Sequence, residues 1–351
     1  MAPYPVVAAE LHEPNVGLLA LAGILLVGWY LVLGALALIR WPKTPEAGPP
    51  TNDLRPESPA LANLLTNGWL LNEDAMPATL LDLAARGFVK IEDRGDERMQ
   101  CRVPSRSPET ASLNPYERRV LDHINKLARE GIVPAAALTT GPGDESTKWW
   151  KAFRKEVGSD AKARGLAGEF WPVKLSVLML LLGLPIYFLI GGSTGFREDE
   201  KVHQTALLQT VTVAMWAGIF PLALVTVTAR LRDTPDGRTA AAHWFGVRQN
   251  LETLPLFPDM PADAVVTWER HLAYGAALGV AGRSVKELPL GAEHDRRAWT
   301  DYGGSWRQVR VRYPVVRPGW GKSPLVAGLI SLAVLAGSLC ALWFVNEVGL
   351  L

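Results

Sequence analysis

Four stretches carry no Asp, Glu, Lys or Arg: residues 16–39, 175–196, 205–229 and 323–345. A helix rises about 1.5 Å per residue, so each can cross a hydrocarbon core roughly 30 Å thick. If all four span, 34 of the 36 Lys and Arg residues fall on one side, and only Arg197 and Lys201 on the other. Cytoplasmic loops retain Lys and Arg. The pattern predicts four transmembrane helices in a plasma membrane. The short termini, 1–15 and 346–351, and the loop 197–204 lie outside, with two long cytoplasmic segments, 40–171 and 230–322.

The first stretch is not expected to be a secretory signal. No Lys or Arg precedes it, its apolar run is 24 residues long, and Arg40 and Lys43 follow directly. It reads as an uncleaved N-out anchor. The predicted membrane interfaces hold Trp41, Trp171, Trp320 and Trp343, whose rings can be buried while the indole N–H stays hydrated. Lys174 and Lys322 can snorkel at the inner face. These six are the expected interface anchors, and the lipid bilayer is the first partner.

Charge divides the two cytoplasmic segments. The first holds 19 basic and 19 acidic residues, the second 14 basic and 10 acidic. A net charge of +1 for the whole chain argues against a general nucleic-acid binder. Arg outnumbers Lys by 25 to 11, which suits a GC-rich bacterial genome and an inner-membrane location. Cys101 and Cys340 fall on different sides of the predicted topology, so no disulfide is expected.

Residues 40–58 are rich in Pro and acidic residues and read as a linker. After it, 59–66 and 73–86 read as helices, the second stopped by Gly87. Phe88, Val89 and Ile91 begin a strand that turns through 93–97 and returns over 98–103. Asn114, Pro115 and Glu117 occupy the N-cap, N1 and N3 positions of a further helix. Helix, helix, hairpin and helix suggest a winged-helix-like module within residues 59–171. Residues 144–164 form a helix in which Lys148, Lys151, Arg154 and Lys155 are interleaved with Trp149 and Trp150. That composition suits a lipid surface or a docking contact. In the second segment, 239–251 and 262–278 read as helices and 306–316 as a strand. The expected fold class is therefore an α-helical membrane protein with four spans and α+β cytoplasmic modules.

Three runs, and a fourth stretch at 303–307, carry a resemblance. Leu80, Leu81, Asp82, Leu83, Ala84, Arg86 and Gly87 fall in ATLLDLAARGFVKI, which resembles the AxLLDLAxRGxLxI signature of the DUF2207 predicted membrane proteins. Trp244 and Arg248, in HWFGVR, are similar to that family's W-x-G-(F/L)-R segment. Tyr274, Ala277, Leu278 and Gly279, in LAYGAALG, resemble its LPYAxALG helix, with Ala273 where the proline would stand. Gly303, Gly304, Trp306 and Arg307 resemble a strand of high-GC bacterial relatives. The resemblance covers most of residues 16–320. It implies a membrane topology with cytoplasmic modules, and no biochemical activity. Relatives place an extracytoplasmic β-rich domain before the first span, so a short family form without it is expected here.

Reactive constellations are not evident. The helix before the hairpin carries Glu73, Asp74 and Asp82 against Arg86, the wrong balance for phosphate contact, so no nucleic acid is expected. GWGKS at 319–323 lacks the upstream glycine of a phosphate loop, because position 316 is valine. His12, His123, His203, His243, His271 and His294 are scattered without zinc spacing; Glu269 with His271, and Glu293–His294–Asp295, are the acid–imidazole candidates, and solvated polarity is the commoner use of each. The spans contain no central charge, which weighs against an ion pathway. The expectation is a scaffold or regulatory anchor without catalytic residues, metal or cofactor. Its partner would be another protein or a second copy at the cytoplasmic face. A transport or envelope-assembly component is the alternative, and an inner-face enzyme the third reading.

Overall fold

The computed structural model describes residues 16–95, 99–104, 108–140, 143–193, 231–290, 297–300 and 307–310. The third and fourth predicted spans lie outside these residues, as do Trp320, Lys322, Trp343, Gly303, Gly304, Trp306, Cys340, His294 and Asp295. Two compact units are present, and each is described by itself.

The first unit draws on Met1–Pro45, Gly68–Leu70 and Lys162–Ala240. Helix α1, Val16–Ile39, is apolar throughout, and is the one described helix long and apolar enough to cross a membrane. It packs on α6, Val173–Ser193, through Trp29, Leu33, Met179 and Ile186. The Trp29 indole N–H donates to the Met179 carbonyl at 3.0 Å, an interhelical bond of high value where water is absent. Trp41, just after α1, meets Phe170, just before α6, edge to face at 6.3 Å, so the two helices run antiparallel. Arg40 reinforces that end, donating to the Phe170 carbonyl at 2.7 Å and the Glu169 carbonyl at 2.9 Å. Both helices turn large apolar side chains outward, among them Ile24, Leu31 and Leu38 of α1 and Val173, Leu181 and Leu182 of α6. Of the expected interface residues, Trp41 and Lys174 are exposed. The Trp171 indole nitrogen is instead buried without a hydrogen-bond partner among the described residues.

Strand β4, Ala167–Glu169, pairs antiparallel with β5, Leu231–Asp233. The sequence signals neither, since three residues carry too little alternation to read. Trp69 is fully buried and donates to the Leu166 carbonyl at 3.1 Å.

The second unit contains Glu46–Asn67, Leu71–Ala161 and Ala241–Leu351. Helices α2 (Pro59–Thr66), α3 (Ala75–Ala85) and α4 (Pro115–Leu127) form as expected. Ser58 caps α2, accepting from the Leu61 N–H at 3.3 Å, and proline opens both α2 and α4. Strands β1 (Lys90–Asp93) and β2 (Met99–Arg102) form the hairpin. A short strand not expected from the sequence, β3 (Ile132–Pro134), pairs with β2 and makes a three-stranded antiparallel sheet. Helix α5, Gly143–Ala163, leans on α4 through Phe153, whose ring meets Tyr116 at 6.1 Å.

Residues from the second polar segment complete the same core. Helix α7 is Pro235–Glu252 and α8 is Val265–Ala277, packed chiefly on α3 and α2. Helix α9, Gly282–Glu287, follows. The helix expected over 262–278 begins with a 3-10 turn at Ala262–Ala264, and α8 is broken at Glu269. Of the strand expected at 306–316, Arg307–Arg310 pairs as β7 with β6, Arg297–Thr300; 311–316 lie outside the described residues.

Residues 46–57, expected as part of a linker, form no helix or strand but lie as a strap along α7 and α8 within this unit. The Gly48 N–H donates to the Ala242 carbonyl at 2.8 Å. His243 and His271 place Nε2 at 2.8 and 3.2 Å from the carbonyls of Asp53 and Asn52. A carbonyl can only accept, so both rings carry the proton on Nε2.

Candidate functional site

The three signature runs meet at one place in the second unit. Asp82 comes from α3, Tyr274 and Arg270 from α8, and Trp244 from α7. Asp82 is 1% exposed, and its two oxygens are divided between two arginines. Arg270 Nε donates to Oδ1 at 2.7 Å and Arg86 Nη1 to Oδ2 at 3.2 Å. Arg86 Nη1 also lies 3.2 Å from Oε1 of Glu117, which is 3% exposed. The other oxygen of Glu117 accepts the Asn114 N–H at 2.8 Å. The glutamate read as a helix-start residue therefore serves both its own helix and the arginine of α3.

Arg270 extends the chain of bonds. Its Nη2 donates to the Tyr274 hydroxyl at 3.0 Å, and that hydroxyl donates to the Glu57 carbonyl at 2.6 Å. Trp244 stacks flat on Tyr274 with ring centroids 4.6 Å apart and planes at 11°. Burial works against the Arg270 charge, but Asp82 outweighs it and lifts its pKa above the ordinary value. Burial also raises the Tyr274 pKa, more than Arg270 lowers it, so the phenol keeps its proton. Two carboxylates and two guanidiniums are thus balanced and bonded inside the unit.

The signature glycines have backbone reasons. Gly87 and Gly279 end α3 and α8 at φ +81° and +77°, the left-handed conformation that glycine adopts without strain. Gly246, inside HWFGVR, lies so close to the strap that a Cβ there would sit 2.4 Å from the Pro49 carbonyl oxygen. Leu80, Leu81 and Leu83 are fully buried, and Ala84 is half-buried. Ala277 and Leu278 are buried beside Asn63 of α2, whose amide donates to the Ala277 carbonyl at 2.8 Å and caps α8. Arg248 stands apart: it is exposed, paired with Glu252 at 2.8 Å, and lines a shallow cleft of about 160 Å³ with Asn63, Asn72 and Gly279. Arg307 lies in β7.

Sequence reasoning did not find Arg270, Asn63 or Glu57 as participants. Arg270 sits four residues before Tyr274 on one helix face, which was the available signal. Glu269, the acid–imidazole neighbour of His271, is exposed, and His271 is used to hold the strap. His123 lies 3.2 Å from the Leu138 carbonyl and faces Trp149. Among the described residues, no three His, Cys, Asp or Glu side chains are grouped to hold a metal ion.

Trp149 and Trp150, expected at a lipid surface or a docking contact, are half-buried and stack against Phe153 at 5.5 and 5.7 Å. Arg154 is half-buried as well, whereas Lys148, Lys151 and Lys155 are exposed. A cleft of about 430 Å³ between α4 and α5 is lined by Arg118, Asp122, His123, Lys126 and Trp149.

The model of a family described as predicted membrane protein (DUF2207), C-terminal domain, matches residues 49–288. That span starts in the strap and ends in the last residues after α9, enclosing every member of the Asp82 network. No curated protein and no solved structure matches the chain. With more than half its length matched, the chain belongs to the DUF2207 family of predicted membrane proteins.

Proposed function

We propose that the protein is a multi-pass inner-membrane anchor whose cytoplasmic unit binds a protein partner. The observation that carries this is where the signature residues spend their polar atoms. Asp82, Arg86, Arg270 and Tyr274 bond to one another and to Glu117 and Glu57. Polar atoms bonded to one another across α3, α4 and α8 in this way serve to fix the fold.

Membrane integration is supported by α1 and by the family's description. The antiparallel α1–α6 pair with outward apolar faces supports a second span at 175–196, and the uncharged runs 205–229 and 323–345 supply the third and fourth. The distribution of Lys and Arg supports both termini outside. Helices α2, α3 and α4 with the β1–β2–β3 sheet support a winged-helix-like module. Helix α3, the reading helix of such a module, is buried from Ala75 to Leu83, which favours a structural use over groove reading.

Contact with a partner is supported by two exposed apolar residues of the second unit. Leu256 is 71% and Val266 80% exposed; Leu256 directly precedes Phe257 and Val266 lies two residues before Trp268, and the Phe257 and Trp268 rings meet with centroids 5.1 Å apart. A photo-crosslinking residue at Leu256 or Val266 in native membranes should give a discrete adduct that Leu256→Asp and Val266→Asp remove. Crosslinker at either site that yields no adduct, with the chain folded and membrane-inserted, sinks the partner reading.

A further inference from the structure

Helix α5 presents two chemically different faces. The inward face carries Trp149, Phe153, Glu156 and Asp160. Phe153 is fully buried, Glu156 pairs with Arg119 of α4 through two bonds, and Asp160 accepts from the Tyr116 hydroxyl at 2.9 Å. Both acidic groups are therefore turned toward the core and engaged there. Lys148, Lys151 and Lys155, spaced i, i+3 and i+7, share a single stripe on the other side. All three are exposed and have no ion-pair partner among the described residues. Ser159 continues the stripe and is exposed.

The result is a solvent-facing row of three cations, with Glu156 and Asp160 of the same helix engaged on its other face. Long lysine stems can lie along a surface while their ammonium groups reach phosphate oxygens. Chain connectivity limits where this row can go. Seventeen residues lie between Lys155 and Val173, the first residue of α6. The aromatic residues that the composition suggested as membrane contacts are committed to packing on Phe153, so insertion is replaced by electrostatic contact alone.

We propose that the Lys148–Lys151–Lys155 stripe of α5 docks on the anionic headgroup surface of the membrane holding α1. This rests on the membrane-anchor reading above, and adds to it a second, reversible attachment governed by lipid charge. Each lysine near an anionic surface contributes about a fivefold gain in association, and the effect falls away beyond a Debye length.

The test uses the full chain carrying Cys340→Ser and Ser159→Cys, reconstituted in nanodiscs of phosphatidylcholine alone or with about a third phosphatidylglycerol. Alkylation of the new thiol by a charged maleimide is timed at low salt and at about 0.5 M salt. Docking predicts alkylation about tenfold slower in anionic discs at low salt, with the difference removed by high salt. Changing Lys148, Lys151 and Lys155 together to Gln removes it too, while a thiol from Asn125→Cys on α4 reacts alike in both discs. Equal rates for Ser159→Cys in the two lipids overturn the proposal. Protection that persists in neutral lipid overturns it as well, since that outcome reports a protein contact. Resistance to alkaline carbonate extraction, followed in parallel, tests the membrane anchor separately.

Discussion

Asp82 and Arg270, 188 residues apart in sequence, are joined by a 2.7 Å hydrogen bond in the heart of the second unit. The bond ties the first polar segment to the second across whatever lies between them. A carboxylate that is 1% exposed is costly to bury alone, so Arg270 and Arg86 are what allow Asp82 to sit there. Arg270 in turn orders Tyr274, and Tyr274 orders both the strap, through the Glu57 carbonyl, and Trp244, through ring stacking.

Glu269, the residue before Arg270, has φ 47° and ψ −132°, a conformation that side chains other than glycine rarely adopt. The kink separates a short first turn of α8, which carries Trp268, from the stretch that carries Arg270 and Tyr274. Glu269→Gly should relieve about 1 kcal/mol of strain and raise the thermal midpoint of the detergent-solubilised chain, whereas Glu269→Ala should not. A lower midpoint for the glycine variant would contradict the strain.

Gly246→Ala should loosen the strap. The added Cβ would meet the backbone oxygen of Pro49 at 2.4 Å, and a backbone atom held by its neighbours cannot simply rotate away. A loss of about 1–3 kcal/mol is expected. Limited proteolysis should show faster cutting within residues 46–57, with cutting elsewhere little changed. Uniform acceleration across the second unit would instead mean that the strap is not a separate element.

Cys101 lies fully buried on β2, and burial pushes its thiol up from about 9 to about 12. The unfolded chain therefore loses this proton at lower pH than the folded one. The resulting contribution leaves stability unchanged below pH about 9 and lowers it as pH rises from there toward 12. Cys101→Val should flatten that alkaline decline by up to about 1.4 kcal/mol per pH unit, read from denaturant titrations between pH 8 and 11. An unchanged slope would place the thiol in contact with water.

Much of the second unit was legible because its signals are local. Asn114, Pro115 and Glu117 announce α4, and Gly87 announces the end of α3, since capping depends on residues a few positions apart. Strands β3 and β4 are three residues each and exist only because a partner strand is present, so no period could reveal them. The strap was unreadable for a related reason: Pro-rich composition resembles a loose linker, and it is held by groups far away in sequence, the Ala242 and Gly246 carbonyls, the His243 and His271 rings and the Tyr274 hydroxyl. Asp82 was legible as a signature residue, but not its bond to Arg270. Trp149 and Trp150 show the limit in the other direction, because aromatic and basic residues interleaved along a helix suit a lipid face and a packed face equally until α4 is in place.

Asp82 and Arg270 form an ionic lock that joins α3 to α8. A double-mutant cycle on Asp82 and Arg270 tests it most directly, with unfolding of the full detergent-solubilised chain as the readout. Asp82→Leu alone strands Arg270, leaving Arg86 with Glu117, and should cost about 2–4 kcal/mol; Arg270→Met alone should cost less, because Arg86 still neutralises Asp82. The account predicts that the pair Asp82→Leu with Arg270→Met is more stable than the sum of the single losses, by about 1–2 kcal/mol of coupling. Strictly additive losses would contradict it.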